Sequence, residues 1–172
     1  STAIDSRIRR FLLDDPQAAA MLFEPLRRYN EFAARFGCEV SAKRPYWEHD
    51  LIIDESLVLR LRGLNSTIVS DEYDHEHTAK LILGSIQTAF LREEAVEYAI
   101  LCHHPPSWLY DGDEVEDALN ADARIQLLGH KHRQRLTPIG RNLRLAAGAV
   151  HPDRREPEWQ PRYNFLVLDL SG

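Results

Sequence analysis

The stretch Tyr98-Ala99-Ile100-Leu101-Cys102-His103-His104-Pro105-Pro106 joins a short apolar run to a polar ending. A second stretch, Ile125-Gln126-Leu127-Leu128-Gly129-His130-Lys131-His132, has the same design. Short apolar runs bounded by Gly or Pro are typical of buried strands, and open α/β sheets bind ligands beyond the carboxyl ends of their strands. The two stretches therefore predict two buried strands whose histidines meet at one polar site.

Helical and extended patterns alternate around these strands. Ser85 is placed to cap a helix that ends near Glu94, and residues 113–120 predict another helix with Val115 and Leu119 on its apolar side. The order helix, strand, helix, strand is typical of the α/β class. We therefore predict a sheet with the histidine motifs at two of its strand ends.

Four more apolar segments predict strands. Segments 51–53 and 57–61 are separated by a polar turn at 54–56, and Leu57, Leu59 and Leu61 alternate on one face of the second. Segments 143–147 and 164–168 follow one another without an obvious helix between them, which favours antiparallel pairing. The predicted sheet is therefore mixed, within an α/β (α+β) fold.

A helical segment is predicted to precede the sheet. Asp15 before Pro16 is a helix-start signal, because the carboxylate caps free amides and proline at the first position loses no hydrogen bond. Gly37 is predicted to end the last helix of the segment. Apolar residues at three- and four-residue spacing predict a helix packed on the core. They are Leu26, Tyr29, Phe32, Ala33 and Phe36.

Length and composition favour one domain over residues 1–172, with 1–50 helical and 51–172 holding the sheet and the histidine motifs. The net charge of -6 argues against a surface built to coat nucleic acid, although nucleic acid stays open as a substrate. Cys38 and Cys102 are too few for a disulfide framework and favour a reducing, cytoplasmic location. No apolar run approaches the roughly 18 residues of a membrane span, and residues 1–7 do not resemble a signal peptide.

The histidine motifs suit a metal site on chemical grounds. Neutral imidazole is a good ligand for Zn, Mn, Fe or Ni. Gly129 permits a sharp turn, and the His-x-His spacing sends His130 and His132 in roughly one direction, so two adjacent ions could share the pair. Pro105 and Pro106 stiffen the other loop. A single histidine would more often be structural, but two strand-end clusters favour ligation.

Other polar residues near the predicted strand ends have two interpretations. Asn65 either lines the cleft or forms a turn, and Lys131 is expected to be solvated. Residues 74–77, Asp-His-Glu-His, have metal-ligand side chains, but no apolar frame surrounds them, which favours a solvated loop or helix start.

The succession of motifs resembles the C-terminal half of the calcineurin-like metallophosphoesterase family. It comprises a strand ending His-His-Pro-Pro, a helix, a strand ending Gly-His-x-His, and then Gly148-Ala149 and Tyr163-Asn164. The resemblance spans roughly residues 57–170. It implies a sandwich of two mixed sheets flanked by helices, incomplete on its N-terminal side, and a two-metal centre that hydrolyses phosphomonoesters or phosphodiesters.

The resemblance also implies roles for individual residues. His103 and His130 would share one divalent ion, and His132 would bind its neighbour, the metal being Mn, Fe, Zn or Ni. His104 is not a ligand by this match and would contact substrate or orient a neighbour, with Asn65 as a second substrate-binding candidate.

Three motifs of the family are absent from this sequence: Asp-x-His, Gly-Asp-x-x-Asp and Gly-Asn-His-Asp/Glu. They supply the bridging aspartate, the other ligands and the catalytic histidine, so we assign no catalytic residue here. We therefore expect the chain, which lacks an initiating Met, to be part of a longer protein. A missing N-terminal segment, a partner chain or self-association would then cover exposed sheet edges. The alternatives are a non-catalytic metal-binding or interaction domain, and a structural module without metal.

Overall fold

A mixed β-sheet is the centre of the computed structural model, which describes residues 2–74, 81–130, 134–148 and 164–167. The sheet has six strands in the order β1-β2-β3-β4-β6-β5. In chain order the strands are β1 (Tyr46–Asp54), β2 (Leu57–Leu64), β3 (Val96–Cys102), β4 (Ala123–Leu128), β5 (Arg135–Ile139) and β6 (Asn142–Ala146). The predicted α/β class with a mixed sheet is confirmed. These residues contain one sheet, and the two-sheet sandwich stays a prediction.

The strand directions place one set of carboxyl ends along a single edge. β2, β3, β4 and β6 are parallel, whereas β1 and β5 run antiparallel to their neighbours β2 and β6. Cys102 at the end of β3 pairs with Leu64 on one side and Leu128 on the other, and Leu128 pairs with Ala146. The residues that follow these strands therefore lie side by side, as expected for a strand-end site.

Helices flank the sheet. They are α1 (Thr2–Arg9), α2 (Pro16–Phe23), α3 (Arg27–Ala33), α4 (Ser85–Thr88) and α5 (Gly112–Asp122), with a π-helical turn at Arg10–Asp14 and 3₁₀ turns at Glu24–Leu26, Ala34–Phe36 and Pro106–Trp108. Asp15 caps α2 as predicted, because its carboxylate accepts hydrogen bonds from the amides of Gln17 and Ala18. Gly37, at φ 65°, ends the last turn before the sheet. No helix in the described ranges is long and apolar enough to cross a bilayer.

The hydrophobic core lies between one face of the sheet and α5. Val115 and Leu119 of α5 are buried, which confirms the predicted apolar side of that helix. The core residues come from β2, β3, β4, α5 and the segments around 81–83 and 109. They are Leu64, Leu81, Leu83, Ile100, Cys102, Leu109, Val115, Leu119, Ala123 and Leu128.

The helix predicted from Ser85 to Glu94 is wrong in length. α4 ends at Thr88, and Ser85 is its first residue, with its hydroxyl donating to the Asp5 carboxylate. The chain turns away because Arg62, only 2% exposed, donates to the carbonyls of Gln87 and Ala89 that a longer helix would use internally.

The apolar stripe predicted to pack on the core is largely exposed. Tyr29, Phe32 and Phe36 are 42%, 59% and 57% exposed, and of the aliphatic members only Ala33 is fully buried. Asn30 accounts for this orientation, because its side-chain amide donates to the Val40 carbonyl and accepts from the Val40 amide. These bonds hold the Asn30 side of α3 against the chain, so the aromatic side faces outward.

The strand predicted at 164–168 is wrong for residues 164–167, which form no strand. Residue 168 lies outside the described residues. The place beside β6 is taken by β5, which the sequence did not indicate. β5 and β6 form a hairpin through Gly140 and Arg141. Pro138 in β5 is compatible with an edge strand, where one missing amide donor is tolerated.

Candidate metal centre

Two strand ends bring three histidines together. His103 and His104 follow β3 directly, and His130 follows β4 after Gly129. The Gly129 amide donates to the Cys102 carbonyl at 3.0 Å, which extends the pairing of the two strands by one residue. His130 then adopts φ 66°, a left-handed conformation that is uncommon for residues other than glycine.

The spacing of the imidazole nitrogens suits a divalent cation. His103 Nε2 lies 3.3 Å from His130 Nδ1. Two nitrogens that bind one tetrahedral zinc at 2.0–2.1 Å are about 3.3–3.4 Å apart. One nitrogen each from His103, His104 and His130 lies within 4.8 Å of the others. The His103 and His130 nitrogens therefore already have the spacing of two imidazole ligands of one ion, and His104 lies close to both.

Gly129 allows the close approach of His103. A Cβ at Gly129 would lie 3.0 Å from His103 Nδ1 and 3.3 Å from the His103 carbonyl oxygen. The absence of a side chain thus lets the two strand-end loops pack together. The sequence predicted a sharp turn at Gly129, but the left-handed conformation falls on His130, and Gly129 serves close packing against His103.

His104 is buried and held on two sides. Its Nδ1 is 2.8 Å from the hydroxyl oxygen of Ser66, which is buried just beyond the end of β2. Its ring stacks on Trp108 at a centroid distance of 5.7 Å and an interplanar angle of 16°. Trp108 also meets the His130 ring edge-on at 4.0 Å, so this indole forms one wall of the cluster.

Burial keeps the imidazole of His104 and the thiol of Cys102 uncharged. The pKa of His104 is lowered to about 4, chiefly by burial and then by the adjacent imidazoles of His103 and His130, with the Asp74 carboxylate acting in the opposite direction. Burial raises the pKa of the Cys102 thiol to about 11. His104 is therefore a neutral imidazole near pH 7 with a lone pair to offer, whereas Cys102 is a protonated thiol and a poor ligand.

Asn65 stabilises the turn after β2 and also borders the site. Its Oδ1 accepts hydrogen bonds from the amide and hydroxyl of Thr67. Its Nδ2 is buried without a hydrogen-bond partner in the described chain. Asn65, Ser66 and His103 line a cavity of about 220 Å³. Substrate contact by Asn65 or His104 stays a prediction.

Some predicted site residues fall outside the described residues. These are His132, Lys131 and positions 75–77. Asp74, at the edge of that segment, is half-buried and acts electrostatically on His104. Its carboxylate accepts hydrogen bonds from Ser70 and Asp71 of its own loop.

The sequence did not point to Ser66 or Trp108 as site residues. Ser66 is separated from its partner His104 by 38 positions, and both residue types are common in other roles. The one available signal for Ser66 was its place directly after Asn65 at a strand end.

In comparisons with known proteins, no family model, curated protein or solved structure matches the chain.

Proposed function

We propose that this chain belongs to a metal-dependent phosphoester hydrolase of the calcineurin-like class, acting on phosphomonoesters or phosphodiesters. The observation that supports the proposal is the convergence of His103, His104 and His130 at the carboxyl ends of adjacent parallel strands. The two strand-end motifs that carry the resemblance are thus neighbours in space. The two-sheet sandwich, the cytoplasmic location and a covering N-terminal segment, partner chain or second copy are parts of the same proposal.

The chain's residues would hold and shield the metal. His103 and His130 would bind one divalent cation, and His132 would bind the second. Two bound cations would neutralise phosphate oxygens and lower the pKa of a water molecule that attacks phosphorus. Trp108 would exclude solvent from one side, and Ser66 would fix the orientation of the His104 ring.

The test requires the full-length gene product, including whatever is encoded upstream of Ser1. The protein is loaded with Mn²⁺ or Zn²⁺ and assayed with p-nitrophenyl phosphate and bis(p-nitrophenyl) phosphate. We expect stoichiometric metal and release of nitrophenol, with both lost in His130→Ala. His49→Ala, which removes an exposed imidazole on β1, is the matched control and should change neither. Retention of metal without hydrolysis of either substrate would refute the proposal.

A second candidate is a non-catalytic metal-binding or interaction domain. The observation in its favour is that the three donors brought together in the described chain are all imidazoles, without a carboxylate among them. Elemental analysis of the full-length protein separates the candidates, because the hydrolase should hold two ions per chain and the binding domain one.

A further inference from the structure

We infer that His104 is a third imidazole ligand, held in place by Ser66, and that His103, His104 and His130 form a three-histidine cation site. This differs from the substrate-contact role that the family resemblance implies for His104. The inference rests on the metal centre of the proposed function, but it does not depend on hydrolysis.

Ser66 contacts one ring nitrogen of His104. Ser66 Oγ occupies the Nδ1 side of the ring, and both side chains are buried at 1% and 7% exposure. Metal-binding histidines almost always give their second ring nitrogen to such a partner, which sets the tautomer and the ring orientation. In the tautomer whose Nδ1–H donates to Ser66 Oγ, Nε2 carries the lone pair that can bind a cation.

The His104 ring already lies beside the other two imidazoles. The His104 centroid lies 4.8 Å from that of His103 and 5.1 Å from that of His130. Trp108 stacks against one face of the ring, and the buried Pro105 fixes the chain that follows. A ligand held in this way loses little conformational freedom on binding.

The three donor atoms span at most 4.8 Å, whereas tetrahedral ligands are about 3.3–3.4 Å apart, a separation that His103 and His130 already have. A shift of about 1.5 Å, within reach of small side-chain rotations, brings His104 into the same coordination sphere. Three neutral imidazoles with one open position favour Zn²⁺, Co²⁺ or Ni²⁺ over Mg²⁺ or Ca²⁺, which prefer oxygen ligands.

The experiment measures metal binding by the full-length protein. Zn²⁺ affinity is determined by competition with a chromophoric chelator, and the Co²⁺ form is examined by visible absorption. We expect His104→Ala to lower Zn²⁺ affinity at least 100-fold and to change the Co²⁺ spectrum. Ser66→Ala should lower the affinity about 10- to 100-fold, as seen when the supporting partner of a ligand is removed. Ser66→Thr, which keeps the hydroxyl, should restore most of it, and His49→Ala should have no effect.

The inference falls if His104→Ala binds Zn²⁺ within twofold of the parent and gives the parent Co²⁺ spectrum. If circular dichroism shows that this variant is unfolded, His104→Gln is judged by the same criteria. The two proposals fail separately. Loss of metal in His104→Ala supports the three-histidine site even in a protein that hydrolyses nothing. Hydrolysis with unchanged metal affinity in His104→Ala supports the hydrolase and overturns this inference.

Discussion

At the scale of single residues, the geometry of the proposed metal centre depends on the absent side chain of Gly129. We predict that Gly129→Ala lowers Zn²⁺ affinity about 10-fold, because the new Cβ would displace the His103 ring from its position beside His130. Chelator competition measures the effect, with Ala147→Gly, at the neighbouring strand end, as a control for a change in side-chain size. Unchanged affinity in Gly129→Ala would show that the His103 position is not critical.

Arg62 is a positively charged side chain buried inside the protein. It is 2% exposed and pairs with Glu48 at 2.7 Å. Glu48→Ala should lower the free energy of unfolding by about 2 kcal/mol or more, because the buried guanidinium loses its counter-charge. Urea denaturation measures this value. Glu31→Ala removes the partner of Arg27 in a pair that is more than half exposed and should cost less than about 0.5 kcal/mol. Equal effects of the two variants would contradict the prediction.

Single residues also show what the sequence can predict about a site. His103 and His130 were recognisable because each follows an apolar strand, and parallel strands end at a common edge. Ser66 and Trp108 were not, since their roles depend on tertiary contacts with His104 that no local pattern encodes. The ligand candidates were thus predictable, whereas the groups that orient and shield them were not.

At the scale of elements, the start of α2 tests a local signal directly. Asp15→Ala should lower the free energy of unfolding by about 1 kcal/mol, because the amides of Gln17 and Ala18 lose their acceptor. Asp14→Ala is the adjacent control and should have little effect. Thermal or urea unfolding measures both, and equal stability of Asp15→Ala and the parent would rule out a contribution from the cap.

Elements with strong local signals were predicted well, and those set by tertiary contacts were not. β3, β4 and α5 combine apolar patterns with clear boundaries, and all three are present. α4 stops early because Arg62, distant in sequence, binds its last carbonyls. β5 has little apolar alternation and contains a proline, so its pairing with β6 could not be foreseen.

At the scale of the whole molecule, the described surface carries many large apolar side chains. Met21, Phe32, Ile52 and Leu136 are all more than half exposed, on the helical segment and on both edge strands of the sheet. Exposed apolar surface of this kind promotes association. We predict that the 172-residue chain self-associates with rising concentration, measured by light scattering after size-exclusion chromatography. Ile52→Lys, on the edge strand β1, should weaken association, and Lys43→Arg is a neutral control. A strictly monomeric chain at high concentration would contradict the prediction.

The contact between Trp108 and His130 allows metal binding at the proposed site to be detected by tryptophan fluorescence. An indole whose centroid lies 4.0 Å from that of His130, a proposed ligand, is close enough for a transition metal bound there to quench its fluorescence. We predict that Co²⁺ or Ni²⁺ dims the tryptophan emission whereas Zn²⁺, with a filled d shell, leaves most of it, and that Trp108→Phe abolishes the difference. Equal quenching in Trp108→Phe would assign the signal elsewhere. The intrinsic fluorescence of Trp108 therefore allows metal binding to be followed in real time without an added label.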